Sequence, residues 1–453
     1  MEKISNNINL LFKKLFFINE KEHPFINDLN RVIEINKNFV KNQKKIIKKK
    51  IDYDPEIDIP EPKFIDINRK KKKFDEKVLK RLNNELKKSN NYKTIQNLVN
   101  KLHNQNIPSN VKSLDFKEYK KSNRINIAIL GSGPIGLFLA CYLDKFYNTS
   151  YGLNDQPKIN IVVFDNRIVD SGDRKPYSRK RPFAFSSSFF SYILPKVYTW
   201  SDNQEKFLLL SIYILEYIMF TKAYYEFEIP FLFNRYSWDE YLKIFKDGNF
   251  KVVFDCTGGR LNPPIFNNIN TKWVNKLLKK KNRNYNFEIN KEKNLVRLKT
   301  DSDVFTENYY YAGLYVYEKL DGEYIYKEKV DLDIHNFHDL KLFIRLKEKH
   351  FEYNDLILIC KNIKSEHERN FLYNIIVNQF SNKEYVYYFD LFNTYLRHAI
   401  EISKVVEYKN HKLLYIASGD TIFHSHFIVG AGMNRTITFA VKCANFITSL
   451  SLE

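Results

Sequence analysis

The chain has 453 residues, with 44% hydrophobic and 16% aromatic residues and a formal net charge of +20. That apolar content excludes a disordered polymer, and the length predicts two or three domains. Four scattered cysteines (Cys141, Cys256, Cys360, Cys443) with no CxxC pair exclude a disulfide scaffold and point to a reducing, cytoplasmic setting.

The charge is uneven. Residues 1–124 carry 30 Lys and Arg against 16 Asp and Glu, so +14 of the total lies there. Residues 1–123 read as a basic helical N-terminal extension. Its opening, MEKISNNINLLFKK, lacks a signal-peptide core and a small-residue cleavage site. Three prolines in YDPEIDIPEPKFID (53–66) predict an extended linker. After RKKKK (69–73), helical spacing appears at Val78, Leu79, Leu82 and Leu86, then at Ile95, Leu98, Val99 and Leu102. The basic runs at 44–50 and 69–73 are where any weak contact with nucleic acid or an acidic surface belongs. No zinc-finger, RNP-like or helix-turn-helix pattern accompanies them, which favours solvated helix faces.

Residues 125–136, INIAILGSGPIG, are the most informative stretch. An apolar strand feeds Gly131-Ser-Gly133-Pro134-Ile135-Gly136, and helical apolar spacing follows at Leu137, Phe138, Ala140, Cys141 and Leu143. Strand, glycine turn and helix together make a dinucleotide-binding pattern. Gly131 permits the tight turn, Gly133 lets backbone approach a pyrophosphate, and Gly136 lets the helix pack close. The helix N-terminus offers N–H groups to phosphates. INIVVFD (159–165) reads as a second buried strand whose terminal Asp165 is placed for an adenosine ribose and disfavours a 2′-phosphate.

Phe207–Phe220 is the longest apolar stretch. It contains Glu216, is too short to span a bilayer, and reads as a buried helix, so no membrane span is expected. KVVFDCTGGR (251–260) is a third buried strand entering a glycine turn. Residues 286–350 alternate apolar and charged positions and predict an inserted antiparallel, substrate-side subdomain. DLILICKNI (355–363) reads as a strand and the next sixteen residues as a helix. KLLYIASGD (412–420) reads as a strand ending in Gly-Asp, with a helix from Ile437 onward. The boundaries expected are 124–285 and 351–453 for a discontinuous cofactor domain, with 286–350 inserted. No HExxH, Walker loop or GxSxG is present, which removes the common routes to metal, NTP and serine hydrolysis. His424 and His426 form an HxH without further ligands. No metal is expected there, and the two are weak candidates for a catalytic or substrate-facing role.

IAILGSGPIG, VVFD, VVFDCTGGR and YIASGD…HSHFIVGAGMNRTITFA occur in an order that resembles the FAD-dependent monooxygenases of the para-hydroxybenzoate hydroxylase type, with distant similarity to MICAL-type and halogenase flavoproteins. The resemblance covers residues 124–453. It implies an α/β fold: a Rossmann-like FAD-binding domain with an inserted mixed or antiparallel sheet and a helical N-terminal extension. It implies FAD held by Gly131, Gly133, Pro134, Ile135 and Gly136 at the pyrophosphate, Asp165 at the ribose and Asp420 at the ribityl chain. Gly430, Gly432, Met433 and Asn434 would sit at the flavin ring, and Arg167 or Arg181 would also meet the cofactor. The implied activity is monooxygenation, with NAD(P)H as a transient donor and O2 as the oxygen source, on a small-molecule or protein substrate the sequence leaves open. Two departures stand out. The third strand ends in Asp255-Cys-Thr-Gly258-Gly259-Arg260 instead of an Asp-Gly pair, and no Trp-x-Trp-x-Ile-Pro element surrounds Trp200, Trp238 or Trp273, which disfavours halogenation. A flavin oxidase or dehydrogenase, a nucleic-acid-associated flavoprotein and a non-catalytic flavoprotein are the alternative readings.

Overall fold

The computed structural model describes residues 1–18, 23–24, 31, 34, 49–56, 76–88, 92–103, 114–149, 158–167, 177, 182–186, 193, 207–261, 263–266, 269–281, 286–299, 309–320, 323–332, 346, 349–381, 384–394, 396–424 and 431–452. They form a mixed α/β protein with a mainly parallel sheet and separate antiparallel sheets, in two compact units. One unit comprises Met1–Pro24, Lys71–Arg297 and Leu396–Glu453; the other comprises Phe25–Lys70 and Leu298–Tyr395.

The first unit is built on six strands: β1 (Ile125–Leu130), β2 (Ile159–Asp165), β3 (Phe231–Phe233), β4 (Phe250–Asp255), β5 (Ser403–Tyr408) and β6 (His411–Ala417). Their spatial order is β5-β6-β4-β1-β2-β3. Five run parallel, and β5 pairs antiparallel with β6 at one edge. The central strands are near-continuous apolar runs because helices cover both faces of such a sheet. Ile127–Leu130, Ile161–Phe164 and Val252–Phe254 are all buried. The β5–β6 hairpin turns at Lys409 and Asn410, both at positive φ (47° and 65°), the handedness that matches strand twist.

Helices Pro134–Tyr147 and Ile212–Tyr225 pack against each other, and Ala431–Ala444 packs on the former. Ile212–Ala223 are all buried, as an all-round apolar helix must be. Its strand-like start is a correction: Phe207–Ser211 pairs with Pro182–Ser186, and the helix begins only at Ile212. Helices Glu76–Lys88 and Tyr92–His103 pack as a pair and against Ile212–Tyr225, burying Leu79, Leu82, Ile95, Leu98, Val99 and Leu102. The N-terminal helix Glu2–Lys13 lies on β5. There Asn9 takes the backbone N–H groups of Ile402 and Ser403 on its Oδ1 (2.9 and 3.1 Å) and donates to the Ser403 carbonyl at 2.8 Å. Phe12, Phe16 and Phe17 then stack on Phe439, Phe423 and His398.

Residues 286–350 do not make one sheet. Asn286–Asn290 and Leu295–Lys299 join Arg397–Ala399 and Phe423–His424 in a four-stranded sheet. In the second unit, Glu323–Leu332, Tyr309–Leu320, Tyr385–Thr394 and His350–Glu352 lie side by side in that order, all antiparallel. Its core includes Leu314, Val316, Phe351 and Tyr387. The expected strand at 355–363 is a helix, Tyr353–Lys361. Its buried positions Leu356, Ile359 and Cys360 recur at helical spacing, and a short apolar run without alternation fits either state. Near the first basic run, Asn374 brackets the Lys49 backbone (3.2 and 2.7 Å) and Lys50 pairs with Glu366 at 2.9 Å. Most of that run and all of 69–73 lie outside the described residues.

No helix among the described residues is long and apolar enough to cross a membrane.

Candidate functional site

From β1 the chain crosses to β2 and β3 on one side, then returns to β4 on the other. The carboxyl ends of β1 and β4 therefore splay their connections apart, which opens a crevice at the point where ligands of open α/β sheets bind. The glycine loop sits there. Gly131 has φ +99°, and a Cβ on it would lie 2.8 Å from the Cys256 carbonyl oxygen. A Cβ on Gly136 would fall 1.9 Å from the Gly131 oxygen, so helix and loop meet backbone to backbone. Gly133 differs: it is extended (φ −74°, ψ −177°), and its Cβ would meet only Arg167 Nη2, at 3.9 Å. The space over Gly133 is the cradle a ligand would fill. Pro134 opens the helix at its first position with no side-chain cap, leaving first-turn N–H groups facing the crevice.

Asp165 ends β2 and is buried. Its Oδ2 accepts from Ser132 N at 2.6 Å and Ser132 Oγ at 2.5 Å, and its Oδ1 accepts from Arg167 N at 2.7 Å. The Arg167 Nε lies 3.5 Å from Oδ2. Burial pushes this carboxyl up, but the guanidinium and the Ser132 bonds outweigh it and hold it below its ordinary value. Burial likewise opposes the Arg167 charge, and the Asp165 and Glu216 carboxylates overcome that, raising its pKa. The Arg167 guanidinium also lies over the Tyr177 ring at 4.8 Å, and Tyr177 donates to Ser132 Oγ at 3.1 Å. Asp165 thus fixes the glycine loop, while Oδ1 keeps capacity for one further donor.

The turn after β4 joins the turn after β6. Thr421 Oγ1 accepts from both Gly258 N and Gly259 N at 3.0 Å, at positive φ of 73° and 76°. Arg397 donates to the Gly258 carbonyl at 2.8 Å. Asp255 is fully buried, bonded by Tyr415 Oη at 2.5 Å and Thr257 N at 2.9 Å, and its carbonyl accepts from Ser418 N. Burial raises its pKa, against the opposing pull of Tyr415 and Thr257. Gly419 (φ +65°) packs on Ile135, whose side chain would lie 3.2 Å from an added Cβ. Asp420 follows in the same turn, its Cβ 3.7 Å from where a Cβ on Gly258 would stand. It is exposed, and no described residue bonds its carboxylate.

The structure therefore brings Gly131, Gly133, Pro134, Ile135, Gly136, Asp165, Arg167 and the 418–421 turn to one sheet edge. The helix holding Gly432, Met433 and Asn434 packs on Gly419–Thr421. His424 is half-buried on a short strand paired with Arg397. Arg181, His426 and Gly430 lie outside the described residues. Sequence reading missed Ser132, Tyr177, Arg397, Tyr415 and Thr421. Ser132 and Tyr415 lie within quoted motifs and Thr421 adjoins one, whereas Tyr177 and Arg397 carried no local signal. Among the described residues no three His, Cys, Asp or Glu side chains gather as metal ligands.

No family model and no curated protein matches the chain. Its structural neighbours include flavin-dependent proteins. The flavin-dependent halogenase CmlS aligns at 11% identity and TM-score 0.36 over 73% of this chain and 59% of its own. CtdE in complex with FAD aligns at 10% identity and TM-score 0.40 (72% and 81%). PqsL, a probable FAD-dependent monooxygenase from Pseudomonas aeruginosa, aligns at 11% identity and TM-score 0.34 (73% and 87%). At these values the likeness assigns neither family nor activity.

Proposed function

We propose that this chain is an FAD-dependent oxidoreductase, a monooxygenase that draws electrons from NAD(P)H and one oxygen atom from O2. The observation that carries the reading is the crevice at the β1–β4 switch: Gly131 and Gly136 are closed by backbone contact while Gly133 between them is left open. Gly133, Ile135 and Gly136 would hold the pyrophosphate, with the Arg167 guanidinium beside it as counter-charge. Asp165 Oδ1 would take a ribose hydroxyl. Asp420, which bonds no described residue, would accept from the ribityl chain. The amino end of Ala431–Ala444 would place a positive helix terminus against the charge that builds on a reduced flavin ring. Bound flavin supplies the two-electron and oxygen chemistry; the chain supplies position, charge and exclusion of water.

The test is the visible spectrum of the purified protein and the FAD released on denaturation. Gly133→Val is the decisive variant, because its backbone suits any residue and its new Cβ meets no backbone. It should fold with an unchanged melting temperature and purify colourless. A folded, fully flavin-loaded variant overturns the site. NAD(P)H consumption in O2, stimulated by substrate, then separates a monooxygenase from an oxidase that releases peroxide with substrate alone.

A further inference from the structure

The opposite edge of the same sheet carries a second cleft, of about 680 Å³. Its lining includes the apolar residues Ile125, Val405 and Leu450. Four cations share that lining: Arg124, Lys158, Lys251 and Lys412 stand at the amino-terminal ends of β1, β2, β4 and β6, with Glu2 the one carboxylate among the lining residues. The sheet topology forces this convergence, since parallel strands start at one edge and each of these four begins beside a basic residue.

These cations are weakly engaged. The Lys251 side chain has no hydrogen bond or ion pair with any described residue. Among the described residues, Lys158 Nζ reaches the Tyr147 carbonyl alone, at 3.4 Å, and Arg124 Nη1 reaches Asn160 Oδ1 alone, at 3.5 Å. Lys412 stands 3.6 Å from Glu407, with both side chains more than half exposed, a pair of small worth in water. Asp144 is a further carboxylate beside these cations, after Glu2 and Glu407, and interacts with Arg124. Four cationic side chains and three apolar ones lining one cleft, in a volume within the range of small-molecule sites, match an anion of several charges joined to an apolar body.

We propose that this cleft is a second binding site, for a phosphate-bearing small molecule of nucleotide size. It is no subsite of the crevice described above. β1 alone, six residues at about 3.3 Å each, separates the two by on the order of 20 Å, too far for hydride transfer to a flavin.

The experiment is calorimetric titration of the purified full-length chain, carrying whatever flavin it holds, with ATP and with inorganic tripolyphosphate at low salt. Both should bind, and affinity should fall as salt rises. The double reversal Lys251→Glu/Lys412→Glu should weaken both at least tenfold, with melting temperature and flavin content unchanged. Should the reversals unfold the protein, Lys251→Gln/Lys412→Gln should still weaken binding severalfold. Tighter binding of ATP than of tripolyphosphate shows the apolar lining taking the base, and equal binding shows recognition through the phosphates alone. Gly133→Val, which blocks the far edge, should leave this binding intact, so the proposal stands or falls apart from the flavin reading. Failure of both probes to bind, or binding indifferent to loss of the lysine charges, overturns it.

Discussion

On the glycine-loop side of the crevice the polar side chains are engaged by the chain itself, whereas on the Asp420 side the carboxylate is left in solvent. Ser132, Asp165, Arg167 and Tyr177 form one buried network that fixes the loop before any ligand arrives. The 418–421 turn is anchored only through backbone and Thr421. The difference separates two jobs. Preorganised dipoles bind a pyrophosphate without reorganisation, and a free carboxylate is kept where the ligand's own hydroxyls will satisfy it.

The sharpest break of that comparison lies at Gly136. A valine there would drive its Cβ into the Gly131 carbonyl, a backbone atom that cannot swing aside. Gly136→Val should cost about 5 kcal/mol and remove the folded protein from purification, as read by denaturant midpoint. Asp165→Ala comes next. It strands the partly buried Arg167 charge and two Ser132 donors, and should cost about 3 kcal/mol of stability, with flavin lost along with the loop. The folded Asp165 carboxyl lies below its ordinary value of 3.8, so its contribution is complete above that pH and lost only as pH falls through the lower folded value.

Acid should act on the other side of the crevice sooner. His398 neighbours Arg397 and is fully buried between Phe17 and Trp273, and burial lowers its pKa from 6.5 to about 4. Its Nδ1 donates to the Ala399 carbonyl at 2.8 Å, which leaves Nε2 to accept from His23 Nε2 at 3.3 Å. The neutral ring stabilises the fold above pH 6.5. Between 6.5 and about 4 the unfolded chain takes up a proton that the folded one refuses, so roughly 3 kcal/mol should drain away. Urea unfolding at pH 7, 5.5 and 4 reads this, and His398→Gln should flatten the slope across that window. An unchanged slope would place the acid sensitivity elsewhere.

The sequence made β1, β2, β4 and β6 legible because buried parallel strands are unbroken apolar runs, and it made the glycine loop legible because strand, turn and helix are contiguous. The partners of that loop were not legible. Tyr177 reaches Ser132 across 45 residues and Tyr415 reaches Asp255 across 160, and neither spacing leaves a local mark. The extension over 1–123 reads as basic from its composition, yet Ile4, Ile8 and Phe12 of its first helix are buried. Charge counted over a whole segment hides an apolar stripe on one face of a helix.

Asp420 gives the smallest change in stability and the most direct reading of the open side. Its carboxylate is exposed and bonds no described residue, so Asp420→Ala should shift unfolding by no more than about 0.5 kcal/mol. A lost hydrogen bond to a charged acceptor should nonetheless weaken FAD binding by about tenfold or more, measured by quenching of flavin fluorescence on reconstitution. Asp165→Ala couples stability to flavin, because the same carboxylate serves both. Asp420→Ala should uncouple them. If it destabilises the fold as much as it weakens flavin binding, the turn is structural like its counterpart across the crevice, and the two sides are alike after all.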